Sequence, residues 1–290
     1  MPISSTSPPL AAAPALLRRL LGMRWPGLLG LVILLLWLLA AVAGPSLLSQ
    51  DGGDLGNAAV FAPISGEHWL GTDYLGRDML ARIIEGARYT VGVALVATLL
   101  ASGTGMLLAL LAASSAPWLD SSLSRGIDTL TSIPSKMLAL IMVAALGSSL
   151  PVLILMAAVI YVPGAYRIAR SLAVNINAMD YVIVARTRGE GRLYIMLREI
   201  LPNIINPMLA DLGLRFVFVV LLLASLSFLG LGVQPPQADW GSLVRENIGA
   251  LPTGNAAVVA PALAIASLTI AVNLVIDNLP GLAAREGGER

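Results

Sequence analysis

Residues 91–113 read VGVALVATLLASGTGMLLALLAA, an apolar stretch without a single charge. A run of about 18 or more such residues, coiled into a helix, matches the roughly 30 Å hydrocarbon core of a bilayer. The stretch therefore predicts a transmembrane helix, and the rest of the chain repeats the pattern.

Six runs of this kind occur, and only the third carries a charged residue. The predicted spans are Gly27–Gly44, Val91–Ala113, Thr129–Leu150, Pro151–Tyr166, Phe216–Val233 and Ala256–Ile276. The 290 residues are 57% hydrophobic and 12% charged, whereas ordinary soluble domains are about 45–50% apolar and 25% charged. Short alternating segments typical of a β-barrel are missing, so the predicted fold class is an all-α membrane protein with six transmembrane helices.

The first span resembles a signal peptide in part, because arginines precede it and Ala41-Val42-Ala43 is similar to a cleavage site. The run exceeds the roughly 7–15 residues of a signal core and five more spans follow, so we interpret it as a retained helix. Residues 1–24 are then a cytoplasmic tail, 25–278 the transmembrane domain and 279–290 a second tail. Within the domain we predict an outer loop at 45–90 and a cytoplasmic region at 167–203.

The positions of the basic residues predict the orientation, because cytoplasmic loops carry an excess of Lys and Arg. With the N-terminus inside, twelve arginines fall in cytoplasmic segments: Arg18, Arg19, Arg24, Arg125, Arg167, Arg170, Arg186, Arg188, Arg192, Arg198, Arg285 and Arg290. The outer loops hold four: Arg77, Arg82, Arg88 and Arg245. Both termini are therefore predicted to be cytoplasmic.

Composition excludes several chemistries. The chain has no Cys and one His, His68, so we predict no disulfide, no Cys–His nucleophile, no metal site and no cofactor. The only Lys, Lys136, follows Thr-Ser-Ile-Pro-Ser, so a phosphate-binding loop ending in Gly-Lys-Ser/Thr is absent. If ATP powers this protein, a different chain binds the nucleotide.

Two further patterns concern packing. Thr72-Asp73 can cap a helix in which Leu75, Met79, Arg82, Ile83 and Gly86 recur at helical spacing, which predicts an amphipathic helix near the outer surface. The small residues Ala97, Ala101 and Gly105 recur at four-residue intervals in the second span and allow another helix to approach closely, either within the chain or at a subunit interface.

The cytoplasmic connection from Arg167 to Asn203 is longer than a bare loop needs. Asp180 can cap a short helix that starts at Tyr181 and ends at Gly189. A second apolar stripe at helical spacing then runs to Pro202. Two short helices that meet at a glycine suggest a docking surface; the alternative is an amphipathic helix that rests on lipid headgroups.

Here the sequence resembles the permease subunits of ABC importers, specifically the C-type subunit of the dipeptide, oligopeptide and nickel group. Those permeases carry a cytoplasmic Glu-Ala-Ala motif followed by Gly and then by Leu-Pro. Five residues match in place: Ala185, Gly189, Leu201, Pro202 and Asn203. Ile183 and Val184 replace the Glu and Ala of the motif.

Two other segments are similar to the same group. His68-Trp69-Leu70-Gly71-Thr72-Asp73 with Leu75-Gly76-Arg77-Asp78 looks like its outer-loop signature, and Ser227-Phe228-Leu229-Gly230-Leu231-Gly232 with Asp239-Trp240-Gly241 is similar to its fifth-span exit. Residues 273–280 depart from the usual C-terminal motif. Asp128-Thr129-Leu130 and Ser132-Ile133-Pro134 look closest to the Sap-type permeases.

The resemblance implies a type I ABC importer permease of a bacterial inner membrane. Its implied partners are a second permease subunit, two cytoplasmic ATPases and an extracytoplasmic solute-binding protein, with membrane lipid around the spans and no nucleic acid. The implied ATPase-coupling residues are Tyr181, Ala185, Arg186, Gly189, Leu201 and Pro202. The implied outer-loop signature residues are Gly71, Thr72, Asp73, Gly76, Arg77 and Asp78. No residue would be catalytic, since ATP hydrolysis belongs to partner chains.

Individual charges leave alternatives open. Lys136 can snorkel to the interface, line the transport pathway or pair with Asp128 or Asp277. Asp211 and Arg215 are spaced to pair one helical turn apart.

In the last outer loop, Asp239, Trp240 and Arg245 could meet a binding protein or be solvated. Di- or oligopeptides lead as cargo, ahead of nickel or another metal chelate, a polyamine or an antimicrobial peptide. An ion-coupled secondary transporter is the rival class, but it would need acidic or histidine residues at mid-membrane and an internal repeat.

Overall fold

The computed structural model describes residues 24–47, 58–253 and 255–278, and most of them are helical. The helices are α1 (Trp25–Leu47), α2 (Met79–Ser114), α3 (Pro117–Thr131), α4 (Ser135–Leu146), α5 (Leu150–Asn177), α6 (Asp180–Thr187), α7 (Arg192–Phe228), α8 (Trp240–Glu246) and α9 (Ala256–Asp277). Within α7, Ile195–Ile200 form a π-helical turn. The tails predicted at 1–24 and 279–290 lie outside the described residues, apart from Arg24.

Five helices are long and apolar enough to cross a membrane: α1, α2, α5, α7 and α9. The pair α3 and α4 passes the same test as one unit, with a bend of 81°. The predicted all-α membrane fold is therefore confirmed, with five candidate spans that are each one helix and a sixth that is broken. Several boundaries differ from the prediction: α2 already begins at Met79, α5 continues to Asn177, and α7 runs from Arg192 to Phe228.

The prediction of a continuous third span over Thr129–Leu150 is wrong. The helix breaks before Ser135, because Pro134 has no N–H to donate and disfavours helical backbone at the residue before it. The remaining α4 has 12 residues, about 18 Å at 1.5 Å per residue, which is shorter than a hydrocarbon core of about 30 Å. In α3 only Ile127 is buried, as expected of an amphipathic helix at an interface.

The separate outer helix predicted after Thr72-Asp73 is also wrong. Met79 and the residues after it form the first turns of α2, which runs without interruption for 36 residues. The cap is Asp78, whose side chain accepts a hydrogen bond from Ala81 N at 2.9 Å. Asp73 cannot cap this helix because its carboxylate is used within the loop.

The small-residue stripe of α2 serves packing within the chain. Ala97 and Ala101 are fully buried. A Cβ on Gly105 would lie 2.6 Å from the Cβ of Ala165, so α5 packs directly onto this point. The stripe thus allows the close approach of α2 and α5, which form the most extensive helix pair of the described chain.

The buried apolar residues form two clusters. The larger one joins α2, α5, α7, α8 and α9 and includes Met79, Trp240 and Leu268. The smaller one joins the C-terminal parts of α2 and α5 to α6 and the start of α7, and it includes Val182 and Ile200. The second cluster therefore anchors the short α6 to helices of the membrane domain.

Candidate functional site

The first candidate site is α6, a short helix held against the membrane domain by one face. Val182 and Ala185 are fully buried on that face. The other face is apolar yet exposed: Tyr181 is 43% exposed, Ile183 49% and Val184 54%. A helix of only two turns has little stability of its own in water. Three exposed apolar side chains on such a helix are typical of a surface that contacts another molecule.

The turn after α6 depends on Gly189, which has φ +83°. Gly189 N donates to Arg186 O at 2.9 Å, and Glu190 N donates to Ala185 O at 3.2 Å. This pair of bonds is the Schellman arrangement, which ends a helix with a residue in left-handed backbone, usually glycine. The predicted helix-breaking role of Gly189 is confirmed, and its open surroundings leave room for a partner.

A chain of hydrogen bonds ties α6 to two membrane helices. Arg186 Nη2 donates to Asn177 Oδ1 at 2.6 Å, and Asn177 Nδ2 donates to Ala113 O at 2.8 Å. These residues line a polar cleft of about 360 Å³ together with Arg192. Through Arg186 and Asn177, α6 is therefore hydrogen-bonded to the ends of α5 and α2.

Two local predictions in this region are wrong. Asp180 does not cap α6, because it is the first helical residue and Met179 is the N-cap. Its carboxylate is still stabilised there by the positive end of the helix dipole. The second short helix does not end at Pro202, since α7 passes through it to Phe228. Pro202 follows directly after the π-helical segment and has no N–H to donate, so the helix lacks one backbone bond there. Leu201 beside it is half-buried.

The outer-loop signature forms a second candidate site, built on hydrogen bonds inside the loop. Thr72 is fully buried. Its Oγ1 donates to Ala59 O at 2.7 Å and accepts from Ala62 N at 2.7 Å. Gly71 has φ +74°, and a Cβ there would lie 2.5 Å from Ala62 O. Only glycine fits at position 71, where this part of the loop touches the backbone of Ala62.

A buried ion pair organises the rest of the loop. The fully buried carboxylate of Asp73 accepts from the backbone N of Leu75 and of Arg77, each at 2.9 Å, and from Arg77 Nε at 2.7 Å. Gly76 completes the turn with φ +74°. Asp78 Oδ2 also accepts a hydrogen bond from His68 Nδ1 at 2.9 Å.

Two residues of the last outer segment anchor this loop, and nothing in the local sequence pattern marks them. Asn247 is fully buried, and its Oδ1 accepts from Tyr74 N at 3.0 Å. Glu246 lies 4.0 Å from Arg77 Nη2 and 4.0 Å from Arg82 Nη2. Burial raises the pKa of the Glu246 carboxyl, while the two arginines oppose the rise.

The prediction that Asp239 and Trp240 face outward is wrong. Trp240 is fully buried, and its Nε1 donates to Ile83 O at 2.8 Å while its ring meets that of Trp37 edge-on at 4.6 Å. Asp239 caps α8 in a capping box with Ser242 and accepts from Ser227 Oγ at 2.5 Å. Burial raises the pKa of Asp239 despite these bonds. Of the three residues, only Arg245 is exposed.

The charges predicted in the spans behave differently from one another. Asp211 and Arg215 pair at 2.7 Å with both side chains at least nine-tenths buried, as the spacing predicts. Lys136 is exposed at the start of α4, and within the described residues it has neither a hydrogen bond nor an ion pair. Both predicted pairings of Lys136 are wrong, since Asp128 binds Arg167 at 2.8 Å and Asp277 does not contact Lys136.

Comparison with known proteins places this architecture in a family. Residues 105–283 match the family described as the binding-protein-dependent transport system inner membrane component. A putative peptide transport system permease protein of Brucella suis is 35% identical over 96% of this chain and 94% of its own. The dipeptide transport system permease protein DppC of Haemophilus influenzae is 33% identical over 87% and 88%. The glutathione transport system permease protein GsiD of Pectobacterium atrosepticum is 33% identical over 74% and 71%.

The chain belongs to the binding-protein-dependent transport system inner membrane component family. It is the permease component of an ABC importer, an inner-membrane protein that is not itself catalytic. The resemblance to the C-type subunits of the dipeptide and oligopeptide group is confirmed by these relatives.

Proposed function

We propose that this chain is the C-type permease subunit of a peptide importer and that it delivers the force of ATP hydrolysis to the membrane helices through α6. The observation that carries the proposal is the exposed apolar face of α6, formed by Tyr181, Ile183 and Val184 above two buried residues of the same helix. The relatives named above are permeases for peptides, dipeptides and glutathione, which favours short peptides as cargo.

The assembly that supports this function has one further permease, two cytoplasmic ATPases and an extracytoplasmic binding protein. Family membership supports these partners, since a binding-protein-dependent importer needs each of these activities. Within this chain, Tyr181 and Arg186 lie on the exposed side of α6 and would contact an ATPase, whereas the buried Ala185 would position that surface. Leu201 and Pro202 would fix the position of the first part of α7, which follows α6 in the chain.

In the orientation that we propose, α6 and both termini lie in the cytoplasm. Arg186, Arg188, Arg192 and Arg198 lie on or next to α6, and an excess of arginine marks cytoplasmic segments. The outer-loop signature is then on the opposite side, where its buried bonds give a rigid surface near the binding protein. Its polar signature residues would act from inside the loop, because Thr72 and Asp73 are fully buried.

An uptake experiment tests this function. We expect the chain, purified with the subunits encoded beside it and reconstituted in proteoliposomes, to accumulate a labelled dipeptide only with ATP and the binding protein. A labelled polyamine or nickel chelate in parallel separates the alternative cargoes. Uptake driven by a proton gradient without ATP would show an ion-coupled transporter instead.

A second expected result concerns Lys136, the unpaired cation at the broken helix. If Lys136 lines the pathway, Lys136→Leu should change the KM for peptide uptake severalfold, since a cation in a low-dielectric pathway interacts strongly with charged groups. Gly126→Ala on the neighbouring α3, where a Cβ meets nothing within 4 Å, is the control. Unchanged kinetics for acidic, neutral and basic dipeptides would assign Lys136 to the lipid interface.

A further inference from the structure

The ion pair between Asp211 and Arg215 does more than neutralise two charges within α7. Arg215 Nε and Nη2 donate to the two oxygens of Asp211 at 2.7–3.1 Å. The remaining nitrogen, Nη1, points away from α7 and donates to the backbone oxygen of Tyr161 on α5 at 3.0 Å. The carboxylate thus aims the guanidinium at a neighbouring helix, and its planar fork suits it to two simultaneous partners.

A second bond returns from α5 to α7. The hydroxyl of Tyr161 donates to the backbone oxygen of Phe218 at 2.9 Å. Each helix therefore offers a side chain to the backbone of the other, within one helical turn of Arg215. We refer to the bonds of Arg215 and Tyr161 to these two backbone oxygens as the clasp.

The clasp needs a glycine at position 164, because a side chain there would occupy the space of the Arg215 guanidinium. A Cβ on Gly164 would lie 2.6 Å from Arg215 Nη1, so any larger residue would displace the guanidinium from Tyr161. Arg215 itself is 6% exposed. In a membrane-spanning region without free water, few groups can replace a partner lost by such a displacement.

The position of the clasp relates it to α6. The helices α5 and α7 are consecutive spans, and α6 lies in the short connection between them. Tyr161 is about 24 Å from the cytoplasmic end of α5 at 1.5 Å per residue. The two helices are therefore joined twice, at their cytoplasmic ends by the α6 segment and deep in the membrane by the clasp.

We propose that the clasp makes α5 and α7 a single rigid arm, which carries a displacement of α6 into the membrane, with Arg215 as its positioning residue. The proposal rests on the function proposed above, in which an ATPase moves α6. Without the clasp, the two helices could separate above α6, and the displacement would be lost before it reached the outer half of the membrane domain.

The absence of cysteine makes the proposal testable by site-directed labelling of the whole transporter. Leu155 on α5 and Leu221 on α7 are exposed and can be replaced by spin-labelled cysteines. In the complex reconstituted with cysteine-free partners, we expect the same interlabel distance with and without trapped nucleotide. A nucleotide-dependent change larger than the roughly 1–2 Å of an ordinary interface shift would overturn the rigid arm.

Two variants separate coupling from folding. Gly164→Ala and Arg215→Lys keep the charges but disturb the bond to Tyr161. We expect both to reach the membrane with their partners, to make the label distance depend on nucleotide, and to lower peptide transported per ATP hydrolysed by roughly threefold or more. The matched control is Gly103→Ala on α2, where a Cβ meets nothing within 4 Å.

Normal stoichiometry and an unchanged distance in Gly164→Ala would overturn the proposal. Failure of the unaltered complex to use ATP would instead overturn the proposed function, while the distances would still report whether the clasp holds.

Discussion

Gly189→Val is expected to leave the permease in the membrane with its permease partner but to remove its ATPase or uncouple hydrolysis from uptake. Gly189 has φ +83°, a conformation that costs L-residues about 1–2 kcal/mol and is worse for a β-branched side chain. Because the strain falls on the turn that ends α6, the exposed face of α6 would shift while the buried spans still fold. We expect roughly tenfold weaker ATPase retention, the change that about 1.4 kcal/mol produces.

Two neighbouring substitutions make this result interpretable. Gly191→Val is the matched control, since Gly191 has φ −72° and ψ 160°, which valine adopts readily. Gly189→Asn should retain most coupling, because asparagine tolerates left-handed backbone. Co-purification and an uptake assay measure both effects, and a reporter fused after residue 180 checks that this segment is cytoplasmic. Full transport by Gly189→Val would return α6 to a helix that merely rests on lipid headgroups.

Asp73→Ala is expected to give the largest loss of stability in the outer loop. It removes the partner of Arg77, whose side chain is 8% exposed, and the acceptor of two backbone N–H groups. Breaking a buried ion pair by removing one partner costs about 3–5 kcal/mol. For a chain of this size, that corresponds to a fall of roughly 10 °C in the melting temperature.

The control for this prediction is Asp128→Ala. It breaks an ion pair at a similar distance, but the side chains of Asp128 and Arg167 are 63% and 54% exposed. Exposed pairs contribute about 0–1 kcal/mol, so this variant should melt close to the unaltered protein. Fluorescence-detected melting of the purified protein in detergent measures both. Equal melting temperatures for the two variants would mean that the outer-loop pair does not stabilise the fold.

Prediction from sequence succeeds here where the signal is local. The spans follow from runs of apolar residues, and the end of α6 follows from a glycine after an apolar stripe. The pairing of Asp211 with Arg215 needs only helical spacing. Even the break in the third span has a local cause, Pro134. The prediction missed it because it gave more weight to the hydropathy of the whole run than to this one residue.

The features that sequence reasoning missed depend on contacts between distant parts of the chain. Trp240 is buried in the core, where its Nε1 donates to Ile83 O, 157 residues away, and Tyr74 is anchored by Asn247 across 173 residues. A polar loop pattern cannot distinguish a solvated aspartate from Asp239, which is 4% exposed. The same limit applies to the bond from Arg215 to Tyr161, because spacing along one helix says nothing of its neighbour.

The uninterrupted length of α2 has a mechanical consequence. Its 36 residues span about 54 Å at 1.5 Å per residue, well beyond a hydrocarbon core of about 30 Å. One end starts at Asp78 beside the outer loop, and the other reaches Ala113, the acceptor for Asn177 beneath α6. One continuous helix therefore connects the outer-loop signature to the hydrogen bonds of Asn177 and Arg186, so a tilt of α2 would displace both ends together.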